Sequence, residues 1–357
     1  MMKKKLSVLA VIVLGILFVI PFIKTDKKQK ENKNSITVYN WGEYIDPQTI
    51  KMFEKESGLK VNYQTYASNE DLYVKLKQNT DSYDVVVPSD YMIERLIKEG
   101  LVQKIDFKNI PNFKGVEEKI KNPNFDPTNE YSVPYFWGTV GIVYNTKMIK
   151  DNINSWDDLW NPKYKGKIIM YNSQRDSIAI ALKKLGYSMN STNPKELQKA
   201  KEALIKQKPL VYAYLTDDGR DVIVQEDAAM GVMYSGDALM MMQENPNLKY
   251  VIPKEGSNIW YDSFVIPKSS KNKKGAEEFI NFMCRPDIAA INAEYCVGYT
   301  SPVVKTKELL PEEIRESYVA YPNPKNLPPL EAYRDLGDSV ADYDRIWTEV
   351  IATMNSK

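Results

Sequence analysis

The stretch ITVYNWGEYIDPQTIKMFEKESGLKVNY, residues 36–63, carries the strongest fold signal in the chain. Its β-branched and aromatic beginning predicts a strand, and its end at 60–63 predicts another. Between them, Asp46 followed by Pro47 is typical of a helix start, and Gly58 is typical of a helix end. A strand, a helix and a strand in this order predict a β-α-β unit, in which the two strands lie parallel in one sheet.

The alternation of strands and helices continues beyond this unit. Residues 69–76 predict a second helix, and the apolar run at 83–88 predicts a buried parallel strand. Further strands are predicted at 141–144, 167–170 and 264–266, and further helices at 194–207, 273–284 and 333–354. No repeat, low-complexity run or Gly/Ser linker divides the chain after residue 36. The sequence therefore predicts an α/β fold of two lobes with several chain crossings.

The composition is that of a folded protein with a basic N-terminal end. Hydrophobic residues make up 43% and charged residues 27% of the 357 residues, which is enough for two domains with buried cores. Residues 1–35 contain eight lysines and two acidic residues, whereas the remainder holds 40 basic and 45 acidic residues, about −5 in net charge. This charge argues against nucleic acid as a partner, because phosphate binding needs a concentrated basic surface.

The chain contains no histidine, and this excludes several classes of site. Ser-His-Asp and Cys-His catalysis, histidine general bases and histidine-containing metal sites are all excluded. The spacing of Cys284 and Cys296 fits neither a CxxC redox pair nor a zinc ribbon. We therefore expect two buried free thiols, and neither a metal nor a cofactor.

The N-terminus has the pattern of an export or anchoring segment. Lys3, Lys4 and Lys5 precede an apolar run at 6–23, and polar, lysine-rich residues follow it. The run reaches the lower length limit for a membrane span, no A-x-A cleavage site ends it, and no cysteine follows to accept a lipid. This pattern favours an uncleaved anchor over a cleaved signal, with residues 27–35 as a flexible tether and the body outside the cytoplasm.

One edge of the predicted sheet is the expected place for a ligand. Parallel sheets bind ligands at the carboxyl ends of their strands, where loops and helix N-termini meet. Trp41 follows the first predicted strand, and Ser89 follows the buried strand that ends at Pro88. Both side chains are therefore expected at this edge.

Several blocks of the sequence resemble one protein family. The blocks are VYNWGEY at 38–44, YDVVVPSDY at 83–91, YSVPYFWGT at 131–139, SWDDLW at 155–160, WYDS at 260–263 and GYTSP at 298–302. In this order and approximate spacing they closely resemble the spermidine/putrescine-binding proteins of bacterial ABC importers. The resemblance runs from about residue 36 to residue 337.

The resemblance implies a two-lobed, periplasmic-binding-protein-like α/β fold of type II. Each lobe would be a mainly parallel sheet flanked by helices, with the ligand in the cleft between the lobes. It implies one lobe of residues 36–138 plus 261–307 and another of residues 139–260 plus 308–357, after an anchor and tether at 1–35. The implied protein is a monomer without catalysis or cofactor, which captures a polyamine outside the cytoplasm and delivers it to the permease subunits of an importer.

The resemblance also implies a set of ligand-binding residues. The first lobe would supply Trp41, Tyr44, Ser89 and Tyr91, and the site would be completed by Asp176, Thr216, Tyr234, Trp260, Asp262, Tyr299 and Tyr333. These residue types fit a polyamine, whose ammonium groups are separated by apolar methylenes. Carboxylates bind ammonium groups through charge-assisted hydrogen bonds, and flat aromatic rings cover methylenes and attract cations.

Some acidic residues also have a structural interpretation. Asp262 could accept backbone hydrogen bonds at a turn, and Asp176 could pair with Arg175 or cap a helix. Asp90 and Asp237 are interpreted as helix caps that add negative potential to the cleft. The number of carboxylates that bind the ligand is therefore open at this point.

This chain also departs from the family pattern. Some family members have paired acidic residues where this chain has Ser173 and Asp176, a tryptophan in place of Tyr234, or an amide in place of Tyr333. Fewer carboxylates would suit a shorter diamine or an altered polyamine. The choice between spermidine and putrescine therefore stays open.

Two other functions are compatible with the residues alone. An exported carboxylate-based hydrolase needs no histidine, and aromatic walls would suit a sugar. The same fold could instead bind another small solute, such as a sugar or an amino acid. An amino acid would need an arginine for its carboxylate, and Arg175 and Arg220 are the candidates.

Overall fold

The computed structural model describes residues 34–78 and 81–353. The predicted anchor and nearly all of the predicted tether at 1–35 lie outside the described residues. Within the described ranges, no helix is long and apolar enough to cross a membrane.

Strands and helices alternate along the described chain, as the sequence pattern predicts. The strands are β1 (Ser35–Trp41), β2 (Lys60–Tyr66), β3 (Val85–Val86), β4 (Val102–Gln103), β5 (Ser132–Asn145), β6 (Ile168–Tyr171), β7 (Val211–Leu215), β8 (Met230–Tyr234), β9 (Leu248–Val251), β10 (Ser257–Pro267) and β11 (Leu330–Glu331). The helices are α1 (Pro47–Ser57), α2 (Asn69–Gln78), α3 (Asp90–Lys98), α4 (Gln174–Lys184), α5 (Pro194–Gln207), α6 (Gly219–Val224), α7 (Ser235–Glu244), α8 (Lys273–Met283), α9 (Pro286–Tyr295), α10 (Thr306–Leu309), α11 (Glu312–Arg315) and α12 (Val340–Ala352). Short 3-10 helices occupy several of the connections between them.

The first β-α-β unit forms where the sequence predicts it. The side chain of Asp46 accepts a hydrogen bond from an amide in the first turn of α1, and Pro47 occupies the first helical position. Gly58 ends α1 with a φ of 75°, a left-handed conformation that costs glycine little. The chain then enters β2, which pairs with β1 in parallel along its full length.

Two groups of parallel strands lie at the ends of one 11-stranded sheet. The strand order is β2-β1-β3-β10-β5-β8-β6-β7, with β4 and β11 paired to β10, and β9 paired to β5. In the first group β2 and β3 are parallel to β1, and in the second β7 and β8 are parallel to β6. Between the groups, β5 and β10 run antiparallel to each other, β10 runs antiparallel to β3, and β5 runs antiparallel to β8. The α/β prediction is confirmed, and the parallel groups are joined by a long antiparallel pair that the pattern did not reveal.

The chain passes between the two parallel groups along β5 and β10, which we call the crossing strands. Residues 132–139 of β5 pair with β10, whereas residues 140–144 pair with β8, so the two halves of β5 belong to different groups. The predicted lobe boundaries, after residues 138 and 260, fall within the crossing strands, where Gly138 lies opposite Trp260. The division into two lobes at these points stays a prediction.

Buried apolar residues fill the space between the sheet and its helices. Val85, Val86 and Val87 have no exposed surface, as the apolar run of a buried parallel strand predicts. Cys284 and Cys296 are buried, and neither forms a disulfide in the part of the chain that the structure describes. The prediction of two buried free thiols is confirmed. Burial raises the pKa of the Cys284 thiol to about 12, which keeps this thiol protonated and unreactive.

The closing helix is shorter than the sequence pattern predicts. The prediction of a helix over 333–354 is wrong at its start, because α12 begins at Val340. The segment 330–335 is held instead by the side chain of Asn190, which donates to one backbone carbonyl and accepts from one backbone amide of this segment. These hydrogen bonds satisfy backbone groups that a helix would pair internally, so Tyr333 lies outside the helix.

Candidate ligand-binding site

A cavity of about 1110 Å³ lies at the carboxyl ends of the parallel strands. The ends of β1, β2 and β3 reach it from one parallel group, and the ends of β6, β7 and β8 reach it from the other. It is lined by every residue predicted to bind the ligand, namely Trp41, Tyr44, Ser89, Tyr91, Asp176, Thr216, Tyr234, Trp260, Asp262, Tyr299 and Tyr333. The fold therefore brings the whole predicted set together.

Four aromatic side chains, Tyr44, Tyr299, Trp260 and Tyr234, form what we call the aromatic wall of the cavity. The ring centroids of Trp260 and Tyr299 are 5.3 Å apart, with an interplanar angle of 84°. Tyr44 lies 5.5 Å from Tyr299, and Tyr234 lies 6.2 Å from Trp260. These edge-to-face contacts are favourable for aromatic pairs, and the wall offers apolar surface and ring faces to a ligand.

Two glycines allow the aromatic wall to pack closely against the backbone. A Cβ atom at Gly138 would lie 2.5 Å from Cζ2 of Trp260, and a Cβ atom at Gly236 would overlap the ring of Tyr299. Gly138 lies on a crossing strand, and Gly236 lies in the first turn of α7. The positions of Trp260 and Tyr299 therefore depend on the absence of side chains at these glycines.

Asp262 is a buried carboxylate with one unused acceptor. The hydroxyl of Tyr44 donates a hydrogen bond to Oδ2 at 2.6 Å, whereas Oδ1 is buried and has no hydrogen-bond partner among the described residues. Burial raises the pKa of Asp262 to about 6, although the hydrogen bond from Tyr44 opposes the rise. The alternative of a carboxylate that binds backbone amides at a turn is wrong, because the hydrogen bond at this carboxylate comes from a side chain.

Asp176 is a second buried carboxylate, and tyrosine hydroxyls surround it. Its Oδ1 accepts hydrogen bonds from Tyr333 at 3.0 Å and from Tyr234 at 3.3 Å. Burial raises the pKa of Asp176, and the hydrogen bonds from the two tyrosines only partly offset the rise. Both alternatives for Asp176 are wrong, because Ser173 caps α4 and Arg175 stacks on Tyr333, with its guanidinium carbon 4.3 Å from the ring centroid.

Asn69 positions two predicted ligand-binding residues, and sequence reasoning missed it. Its Nδ2 donates to Oγ of Ser89 and to the hydroxyl of Tyr91, both at 3.1 Å, and its Oδ1 accepts from the amide of Ser89 at 3.2 Å. The hydroxyl of Tyr91 donates in turn to Glu70 at 3.1 Å. The sequence signal at Asn69 is that of a polar residue at a helix start, and only the fold places it beside Ser89.

Trp41 and Thr216 are more exposed members of the predicted set. Nε1 of Trp41 donates to the carbonyl of Val87 at 2.9 Å, and its ring lies 4.7 Å from that of Tyr66. Thr216 follows β7 and is exposed to solvent. Both residues line the cavity, and both keep part of their side-chain surface exposed to solvent.

Asp90 and Asp237 also line the cavity, and neither is the N-cap of its helix, so their interpretation as caps is wrong. Asp90 accepts hydrogen bonds from the amides of Tyr91 at 2.7 Å and Tyr261 at 3.4 Å. Asp237 forms an ion pair with Arg220 at 3.1 Å.

Burial raises the pKa of every buried carboxylate in this cavity. Such a cluster is a favourable place for a cation, because a positive charge lowers the cost of ionisation.

Comparisons with known proteins agree with this geometry. Residues 48–322 match the family described as bacterial extracellular solute-binding proteins. The chain is 40% identical over 323 residues to the spermidine/putrescine-binding periplasmic protein of Salmonella typhimurium. This match covers 90% of this chain and 92% of that protein. It is 34% identical over 342 residues to a putrescine-binding periplasmic protein of Pseudomonas aeruginosa, with 90% of this chain and 93% of that protein covered.

A solved structure shows the same architecture. The spermidine/putrescine ABC transporter substrate-binding protein of Streptococcus pneumoniae is 40% identical, covers 89% of this chain and 98% of its own, and superimposes with a TM-score of 0.81. This likeness confirms the two-lobed periplasmic-binding-protein fold of type II. The prediction of a binding protein that is not an enzyme is also confirmed, because these relatives bind solutes. The chain therefore belongs to the bacterial extracellular solute-binding proteins, in the family that includes the spermidine/putrescine-binding periplasmic proteins.

Proposed function

We propose that this protein captures a polyamine in the cavity for import by an ABC transporter. The observation that carries the proposal is the buried Oδ1 of Asp262, which has no hydrogen-bond partner in the described part of the chain. A buried acceptor without a partner costs about 1–3 kcal/mol, and more when it carries charge. An ammonium group of the ligand supplies both the missing donor and the missing counter-charge.

The aromatic wall connects Asp262 to the second carboxylate, Asp176. At one end Tyr44 donates to Asp262, and at the other end Tyr234 donates to Asp176. The intervening contacts run from Tyr44 through Tyr299 and Trp260 to Tyr234. This arrangement suits a ligand with ammonium groups at its ends and methylenes between them. Each contact of a cation with a ring face contributes about 0.5–2 kcal/mol, depending on how well water is excluded.

The relatives support both the ligand class and the transport role. Their names describe binding of spermidine and putrescine, and one describes the substrate-binding protein of an ABC transporter. Ligand contacts with residues of both predicted lobes would stabilise a closed conformation in proportion to the difference in affinity between open and closed states. The permease subunits of the transporter would receive the ligand from this closed form.

We also propose that the protein acts as a monomer outside the cytoplasm, tethered through residues 1–35. The periplasmic relatives support the extracytoplasmic location. The apolar run at 6–23, which lacks a cleavage site, supports the tether. N-terminal sequencing of protein extracted from membranes tests the tether, since an intact residue 1 or 2 is expected and a start beyond residue 23 contradicts it.

A calorimetric titration with putrescine and with spermidine tests the proposed ligand class. We expect binding well below millimolar concentration, and a loss of about 2 kcal/mol or more for Asp262→Asn, because this change removes a buried charge that pairs with the ammonium group. Asp338→Asn is the matched control, because it removes the same charge from an exposed residue that does not line the cavity. Absence of binding by the folded protein, or equal losses in the two variants, would refute the proposal.

A further inference from the structure

Arg220 neutralises Asp237 within the wall of the cavity. Nη1 of Arg220 lies 3.1 Å from Oδ1 of Asp237, and Nε of Arg220 donates to the carbonyl of Asp217 at 3.1 Å. The side chain of Asp237 is 7% exposed and that of Arg220 is 33% exposed. Among the described residues, the guanidinium of Arg220 is the group that donates a hydrogen bond to this carboxylate.

The other buried carboxylates of the cavity differ in what they can still accept. Asp90 already accepts backbone amides at both of its oxygens. Asp176 accepts both of its tyrosine hydroxyl groups at Oδ1, and Asp262 accepts one hydroxyl group at Oδ2, so each keeps one oxygen without a donor among the hydrogen bonds of the described residues. Asp176 and Asp262 are therefore the buried carboxylates that remain for ammonium groups, and Asp237 is withheld by Arg220.

Asp237 lies beside the surface that the ligand would follow. It lines the same cavity, and it directly follows Gly236, against which the ring of Tyr299 packs. Tyr299 in turn contacts Trp260 in the aromatic wall. Without Arg220, Asp237 would present a third buried carboxylate next to this wall.

We propose that Arg220 is a specificity-determining residue that favours a diamine over a triamine. The inference rests on the proposed function and names the ligand class within it. Two available carboxylates match the two ammonium groups of a diamine, whereas a third buried ammonium group would lose its hydration without gaining a counter-charge. The ion pair with Asp237 thus sets how many ammonium groups can pair with the buried carboxylates of the cavity.

Titrations of charge variants with putrescine and spermidine test this role. Arg220→Gln frees Asp237, and we expect the affinity for spermidine relative to putrescine to rise roughly tenfold, as a new charge-assisted hydrogen bond allows. Arg220→Lys keeps the positive charge and is expected to keep the wild-type ratio. The double variant Arg220→Gln with Asp237→Asn removes both charges and is also expected to keep it. Thermal unfolding of each variant confirms that the fold is retained.

Three results would overturn the inference. If the ratio in Arg220→Gln stays within about threefold of the wild-type ratio, Arg220 does not set specificity. If the double variant loses about tenfold in putrescine affinity, Asp237 already binds the diamine in the wild-type protein. If the folded wild-type protein binds neither amine, the proposed function itself fails. The first two results leave polyamine binding intact, so they distinguish failure of this inference from failure of the function.

Discussion

Glu94 and Arg334 are joined by two parallel hydrogen bonds, from Nε to Oε2 at 2.8 Å and from Nη2 to Oε1 at 2.6 Å. Glu94 lies on α3, which begins next to Ser89 in the wall of the cavity, and Arg334 directly follows Tyr333. The amide of Asp335 also donates to Glu94 at 2.9 Å. This bidentate ion pair therefore links the two predicted lobes beside the cavity.

We expect Glu94→Gln to weaken polyamine binding by about 0.5–1 kcal/mol, or roughly two- to fivefold, because the pair joins the two predicted lobes beside the cavity but is partly exposed. Titrations at low and high salt measure the effect, which should shrink as salt screens the charges. Glu99→Gln is the control at the C-terminal cap of the same helix, because Glu99 pairs with Lys77 and Arg95, within one predicted lobe. Equal effects of the two changes would contradict the role of Glu94.

Asp262→Asn should stabilise the ligand-free protein. The folded-state pKa of Asp262 is about 6, above the ordinary value of 3.8, so the folded protein binds this proton more readily than the unfolded chain does. The ionised carboxylate therefore destabilises the fold above pH 6, and this cost disappears as the pH falls toward 4. We expect the variant to raise the free energy of unfolding by about 1–3 kcal/mol at pH 7 and by clearly less at pH 4.5.

Urea unfolding of both proteins at the two pH values measures this difference. The comparison isolates Asp262, because every other titrating group is shared by the two proteins. A variant that is less stable than the wild type at pH 7, without ligand, would show that burial of this charge carries no cost.

Ligand affinity should fall in acid. In the proposed function an ammonium group binds the ionised form of Asp262, and the pKa of about 6 means that this form is depleted at pH 5. We expect an affinity loss of about tenfold between pH 7 and pH 5 from Asp262 alone, since amines stay protonated over this range. Titrations at both pH values check it, and Asp262→Asn should show a smaller pH dependence. An affinity that is equal at pH 5 and pH 7 would argue against a carboxylate as the ligand's partner.

Gly236→Ala should displace Tyr299 from the aromatic wall. The added methyl group would overlap the tyrosine ring, so we expect a loss of about 1–3 kcal/mol in stability and a similar loss in ligand binding. Gly42→Ala is the matched control, because Gly42 also lines the cavity but a Cβ there would have no described heavy atom within 4 Å. Thermal unfolding and titration of both variants measure the effects, and a Gly236→Ala protein with unchanged affinity would show that the wall can shift freely.

Much of the local structure follows from short-range patterns. The cap at Asp46 and the left-handed turn at Gly58 depend on neighbouring residues, and both form as predicted. The predicted start of the closing helix at residue 333 is wrong. Asn190, which is distant in sequence, holds the segment 330–335 in a non-helical conformation. The strand segments 141–144 and 264–266 were predicted within β5 and β10, but the antiparallel pairing of these two strands was not, since strand pairing depends on partners that no local pattern specifies.

The chemistry available to this protein is determined by its sequence alone. The lack of histidine excludes histidine-based catalysis and metal sites, and the ordered blocks resemble one family, so that the sequence predicts an α/β binding protein with an aromatic, acidic site. Residue identity and ordered spacing carry this prediction, because the side-chain types available to a site do not depend on the fold.

Only the tertiary structure decides which carboxylates can accept a cation. Asp237 and Asp262 are equivalent as residue types, yet the fold pairs Asp237 with Arg220 and leaves Oδ1 of Asp262 without a partner among the described residues. Packing also places Asn69 against Ser89. The physical reason is that burial and hydrogen bonding set the charge of a carboxylate, and both depend on groups that only the folded chain brings into contact.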